Sequence, residues 1–117
     1  SVNRKVLGAF LNHFGVHFDE VSSGQEALVA LKKNHYDFVL MDCFMPETDG
    51  YQTSQEIRQN ADYDDLIIIA VTGITQPQEI KKCYASGMNH YLAKPISKEK
   101  LYDLLAMIDP KKKASND

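Results

Sequence analysis

Apolar residues recur along the chain in two rhythms. Val2, Val6, Leu7, Phe10, Leu11 and Phe14 fall at helical spacing, and Gly15 follows as a stop, which predicts a helix over Val2–Phe14. Val16–Val21 alternates weakly, as a short strand does. Ser23, with Glu26 three residues on, is a capping box opening a helix that carries Ala27, Leu28 and Leu31 and ends at Asn34. Tyr36–Met41 is mostly apolar from Phe38 onward, the pattern of a parallel strand covered on both faces. Asp42 to Gly50 reads as a loop holding Pro46. Tyr51–Gln59 is a weakly amphipathic helix anchored by Tyr51 and Ile57, and Asn60–Asp65 is a polar loop. Leu66–Val71, apolar and mostly β-branched, is the clearest strand. A helix starts after Thr75, with Gln78 completing its cap; it buries Ile80, Cys83 and Tyr84 before Gly87 stops it. Tyr91–Ala93 is a brief strand broken by Pro95. Ser97 then caps a last helix with Leu101, Leu104, Leu105 and Ile108 along one face.

Four strands alternating with five helices through short loops predict an α/β domain with a parallel sheet. At 117 residues there is room for one domain, over 1–109, with 110–117 as a polar tail or linker. Thirteen basic against sixteen acidic residues leave a net charge of −3, which argues against a general nucleic-acid binder. No apolar run approaches the roughly 20 residues of a membrane span. The opening residues carry no secretion signal. Cys43 and Cys83 have neither zinc spacing nor a disulfide framework, so a reducing, cytoplasmic setting is expected, without direct membrane insertion.

In parallel sheets chemistry gathers at the carboxyl ends of the strands. The residues there are Asp42, Thr72 and Lys94. Taken singly, an Asp after a strand starts a turn, a Thr caps one, and a Lys is a solvated surface group. Their joint placement is more telling. A carboxylate able to attack phosphorus or hold a hard cation, a hydroxyl beside the small Gly73, and a compact ammonium make up an electrostatic phosphoryl-transfer site. His13, His17, His35 and His90 are scattered and suggest no metal site, and Asp62, Asp64 and Asp65 read as a solubilising loop.

At these residues the chain resembles a known family. Val39-Leu40-Met41-Asp42-Cys43-Phe44-Met45-Pro46-Glu47-Thr48-Asp49-Gly50 is similar to the phosphoacceptor segment of response-regulator receiver domains. Ile69-Ala70-Val71-Thr72-Gly73 resembles their hydroxyl segment, and the run from Ala85 to Ile96, through Lys94-Pro95, resembles their lysine-proline segment. The wording is similar to receivers of hybrid sensor histidine kinases. The resemblance implies a flavodoxin-like, doubly wound parallel sheet of order 2-1-3-4-5. It implies that Asp42 accepts a phosphoryl group from the phosphohistidine of a histidine kinase or histidine phosphotransfer domain. Mg²⁺ would be held by the Asp42 carboxylate and the Phe44 backbone carbonyl. Thr72 and Lys94 would bind the phosphoryl group, Tyr91 would swing inward as Thr72 moves, and the Lys94–Pro95 bond would be cis. The Phe44 side chain would screen the phosphoaspartate from water. The domain would sit in the cytoplasm, its parent protein compatible with a membrane anchor, and the face formed by the last helix and the Tyr91 strand is one that relatives use for homodimers.

One departure stands out. Receivers begin with a strand ending in two acids that hold the metal. Here no acidic residue precedes Asp19, and Ser1 already corresponds to the loop entering the first helix. The usual acidic pair would thus stand upstream of Ser1. The first, central strand is likewise expected to be missing from this sequence, leaving a slot of roughly 9–10 Å between its neighbours. Three explanations stand: a longer parent chain, a strand supplied by a second copy, or a closed-up sheet. If residues 1–117 were the whole protein, Mg²⁺ binding and phosphorylation would be severely impaired. Two other functions stay open, a phosphorylation-independent interaction module on the same fold and, with less support, an α/β phosphohydrolase using Asp42.

Overall fold

The computed structural model describes residues 9–13, 15, 23–45 and 48–108, the side chains of Phe44, Met45 and Thr48 excepted. Ser1, upstream of which the central strand and its acidic pair are expected, lies outside the described residues. So do the expected strand Val16–Val21, much of the expected first helix and the 110–117 tail. Residues 9–13 are helical (α1). Thereafter come α2 (Gly24–Lys33), β1 (Phe38–Asp42), β2 (Phe44–Met45), β3 (Thr48–Asp49), α3 (Gly50–Arg58), a 3-10 turn (Ala61–Tyr63), β4 (Ile67–Thr72), α4 (Pro77–Ala85), β5 (His90–Ala93) and α5 (Lys98–Ile108). They fall into two compact units, one spanning Glu20–Ala93 and one combining the start of the chain with the segment from Lys94 onward.

In the larger unit β1, β4 and β5 form a parallel sheet in that order, as expected for the last three strands of the 2-1-3-4-5 arrangement. Central β4 is buried along nearly its whole length. Ile68 and Ala70 join Met41, Cys43, Tyr51, Ile57, Cys83 and Met88 in one apolar cluster, with Leu31 and Leu66 at its margins. Ile69 and Val71, on the alternate face, are buried as well. This is why β4 shows no hydrophobic alternation: neither of its faces meets water. α3 packs on β1 and α2, and α4 on β5. Burial of a side chain such as Ile57, 1% exposed, contributes about 1.5–3 kcal/mol over leaving it in water.

The ends of the helices follow local chemistry. The Ser23 hydroxyl accepts from the Glu26 amide at 3.2 Å, and Asn34 closes α2, as the sequence predicts. α4 departs from expectation. It starts at Pro77, whose fixed φ suits the first helical position, and Gln76 before it supplies no side-chain cap. Tyr84 is 49% exposed rather than buried, because one residue beyond Cys83 the helix has turned by about 100°. The expected loop from Asp42 to Gly50 contains a small antiparallel pair, Phe44 with Asp49 and Met45 with Thr48. Strands of two residues carry no periodicity to read.

Polar groups stitch α3 to the turn before β5. Ser54 Oγ donates to the Ser86 carbonyl at 2.8 Å. Arg58 donates to the carbonyls of Gly87 (2.8 Å) and Tyr63 (2.6 Å) and to Asn89 Oδ1 (2.7 Å). Asn89 Oδ1 also accepts from the Ile68 amide at 2.7 Å. Gly87 has φ of +93°, and a Cβ there would lie 2.5 Å from Arg58 Cγ, so both backbone and packing require glycine.

In the smaller unit Leu11, Leu101 and Leu105 are buried. Ser97 Oγ accepts from the Lys100 amide and donates to Glu99 at the start of α5. The Lys94–Pro95 peptide is cis. Among the described residues no helix is long and apolar enough to cross a membrane.

Candidate functional site

The register of the sheet sets the site. Asp42 pairs with Val71 and Val71 with Leu92; one step further, Thr72 pairs with Ala93. The carboxylate of β1 and the hydroxyl of β4 therefore stand at the same carboxyl edge of adjacent strands. Both are the last residues of their strands rather than the first residues after them. The ladder runs one bond beyond Asp42, the Cys43 amide donating to the Val71 carbonyl at 3.1 Å.

The chain then returns to the same point through the small hairpin. The Gly50 amide donates to the Cys43 carbonyl at 3.2 Å. A Cβ on Gly50 would lie 2.5 Å from the Asp42 carbonyl oxygen and 2.9 Å from Cys43 Cα, so a side chain at position 50 forces the backbone to shift. Asp49 caps α3, its Oδ1 accepting from the Tyr51 amide at 2.8 Å, and Thr53 Oγ1 donates back to the Asp49 carbonyl. The first turn of α3 is thereby pinned beside Asp42.

Thr72 is fully buried. Its hydroxyl accepts from the Ile74 amide at 3.0 Å and donates to the Ile74 carbonyl at 3.3 Å, a local turn that occupies it in this arrangement. The residues that follow, Gly73 to Gln76, are exposed. Tyr91 of β5 pairs with Ala70 of β4, two steps before the Thr72–Ala93 pair at the edge, and is 41% exposed. Lys94 follows Ala93 in the chain, is partly buried, and belongs to the smaller unit. The sheet thus brings Asp42 and Thr72 to one edge, with Tyr91 on a neighbouring strand.

From the first turn of α3 the buried Tyr51 reaches polar groups of α4, the partly buried Glu79 and the exposed Lys82. The Tyr51 hydroxyl donates to Glu79 Oε2 at 2.9 Å, and Lys82 Nζ sits 4.4 Å from the centre of the Tyr51 ring. Burial pushes the Cys43 thiol up to about 12, a hydrogen bond with Tyr51 opposing the rise and the neighbouring Cys83 adding to it. Burial, and then the bond to Glu79, raise Tyr51 too. Both cysteines are free and buried, and burial keeps the Cys43 thiol protonated. From the sequence Tyr51 is legible only as a hydrophobic anchor of its helix. Its hydroxyl partner lies 28 residues away, and no local spacing signals it.

For a metal, the donors in this neighbourhood are right in kind. Asp42 offers a carboxylate and Phe44 a backbone carbonyl, the hard oxygens that suit Mg²⁺, an ion that keeps several waters and takes few protein ligands. The usual acidic pair, which the family resemblance places upstream of Ser1, is not among these donors. Among the described residues no group of three His, Cys, Asp or Glu side chains forms a metal cage.

Comparison with known proteins gives a consistent picture. Residues 1–106 match the family described as the response regulator receiver domain. The signal transduction histidine-protein kinase BarA of Escherichia coli K12 is 35% identical over 108 residues, which are 92% of this chain and 12% of that protein. The chain spans only 5–12% of the length of such curated relatives. The receiver domain of sensor histidine kinase PA1611 from Pseudomonas aeruginosa, with magnesium coordinated in its active site cleft, superposes with a TM-score of 0.83 at 35% identity. That match covers 91% of this chain and 87% of that one. The receiver domain of Ssk1, solved with the histidine phosphotransfer protein Ypd1 of Saccharomyces cerevisiae, gives a TM-score of 0.83 at 25% identity, covering 90% and 79%.

Proposed function

Because the chain belongs to the response regulator receiver domain family, with its flavodoxin-like fold, we propose that it is the phosphoacceptor of a histidine-to-aspartate phosphorelay, with Asp42 as the acceptor. The observation that carries the reading is the register that sets Asp42 and Thr72 at the same edge of adjacent parallel strands. An Asp42 carboxylate oxygen attacks the phosphorus of a phosphohistidine; the P–N bond breaks as the P–O bond forms, and the imidazole leaves with the bonding pair. The product is an acyl phosphate on Asp42. The donor is the histidine of a kinase or of a histidine phosphotransfer domain, a partner class with which Ssk1 was solved.

Asp42 and the Phe44 carbonyl would hold Mg²⁺, which would supply charge neutralisation for the transferring group. The remaining work falls to this chain. Lys94 contributes an ammonium to the phosphoryl oxygens. Thr72 exchanges its two bonds to Ile74 for one to a phosphoryl oxygen, drawing the exposed Gly73–Gln76 segment with it. Tyr91 turns inward as that segment moves. New charge at Asp42 thereby becomes a change of surface.

Intact mass of the full-length protein after incubation with Mg²⁺ and a small acyl phosphate tests the proposal. One phosphoryl adduct, absent from Asp42→Asn, is the expected result. A full-length protein that takes up none would make this an interaction module that works without phosphorylation.

A further inference from the structure

α4 is held by unusually little. Cys83 is its one buried side chain, Ile80 is partly buried, and no side chain caps its first turn. It follows directly on the exposed Gly73–Gln76 segment that leaves Thr72. Against this loose background one contact is specific. Tyr51, 3% exposed, reaches from the first turn of α3 and donates its hydroxyl to Glu79 in the first turn of α4 at 2.9 Å. One helical turn on, Lys82 lies over the same ring at 4.4 Å. The other end of Tyr51 is fixed just as closely. Its amide is bonded to Asp49, and the amide of its neighbour Gly50 is bonded to the carbonyl of Cys43, which follows Asp42 in the chain.

A short covalent and hydrogen-bonded line thus runs from Asp42 through Cys43, Gly50 and Tyr51 to α4. We propose that Tyr51 is a positioning residue whose hydroxyl, through Glu79, fastens α4 to the acceptor loop and couples the position of α4 to the state of Asp42. This rests on the phosphoacceptor reading above and adds a route to α4 separate from Thr72. The bond has a buried donor and a carboxylate acceptor, the combination in which a single hydrogen bond counts most. The ring of Tyr51 fills the core, so Tyr51→Phe keeps the packing and removes the hydroxyl's bonds to Glu79 and Cys43, whereas Glu79→Ala leaves the contact with Cys43 and removes the tether alone.

Hydrogen–deuterium exchange of the full-length protein, before and after acyl phosphate treatment, tests the proposal. In the untreated protein Tyr51→Phe should speed exchange of the Gln78–Ala85 amides by roughly tenfold, the worth of one hydrogen bond to a charged group, with β1 and β4 unchanged. Glu79→Ala should match it. Glu79→Gln, whose amide oxygen still accepts from the hydroxyl, should stay near the parent protein. The double variant Tyr51→Phe/Glu79→Ala should be no faster than either single one. After treatment, the α4 response seen in the parent protein should be lost in Tyr51→Phe at equal adduct by intact mass, an effect that looser packing alone would not produce. Unchanged α4 exchange in untreated Tyr51→Phe overturns the tether. An undiminished α4 response at equal adduct overturns the coupling. Absence of any adduct in the parent protein overturns the phosphoacceptor reading and the coupling that rests on it, while the untreated comparison still judges the tether.

Discussion

A methyl group at position 50 would lie 2.5 Å from the carbonyl oxygen of Asp42, an atom of the backbone that carries the acceptor. Neither partner is a flexible side chain end, so relief requires the strand end or the helix start to move. Gly50→Ala is therefore expected to cost about 1–3 kcal/mol, the usual penalty for overpacking, read as a lower urea midpoint at unchanged slope. The sequence shows Asp42 and Thr72 readily, because each is the polar residue at which an apolar run stops. Gly50 is visible there only as a turn former, although its φ is unremarkable and its role is close approach. The Tyr51–Glu79 bond and the bonds of Arg58 to Gly87 and Asn89 leave no trace, since they join residues whose proximity exists only after the sheet has formed.

At the scale of elements, legibility follows length and burial. β4 and α2 are read nearly to the residue because each has either an unbroken apolar run or a side-chain cap. The two-residue strands β2 and β3 are too short to show a period, and the start of α4 is fixed by a proline rather than by the cap that Thr75 and Gln78 suggest. Caps that are formed contribute measurably. Ser23→Ala removes the acceptor for the Glu26 amide at an N-terminus with only partial burial, and should lower stability by about 1 kcal/mol in chemical denaturation. Glycine at the same position should lose only a few tenths of that unit, because it tolerates the cap backbone and admits water to the amide.

For the molecule as a whole, the buried thiol and phenol set a limit on the alkaline side. Cys43 rises from an ordinary value of 9.0 to about 12 in the fold, and Tyr51 rises from 10.0. In both cases the native state holds its proton more tightly than the unfolded chain. Their contribution to stability is complete below pH 9, then shrinks as the unfolded chain ionises first, and is lost as pH climbs through about 12 for Cys43. The denaturant midpoint should therefore fall steadily above pH 9, and Cys43→Ala should show a shallower fall, measured from pH 7 to pH 10.5. A flat profile over that interval would show that neither group is sequestered as the structure has it.

The three bonds of Arg58 differ in how they constrain the family history of this chain. Two of them end on main-chain oxygens, those of Tyr63 and Gly87, which every amino acid carries. Position 63 is thus free to drift chemically while its bond to the guanidinium persists, whereas Gly87 is held by its own backbone. The third ends on the amide of Asn89, which also receives the Ile68 amide, and only a short side chain with an acceptor oxygen can serve both. Lysine at position 58 would bring a single nitrogen to a fork that needs three directions. Among descendants of this sequence, substitutions at 58 and 89 should therefore appear together or not at all, while the residue at 63 wanders.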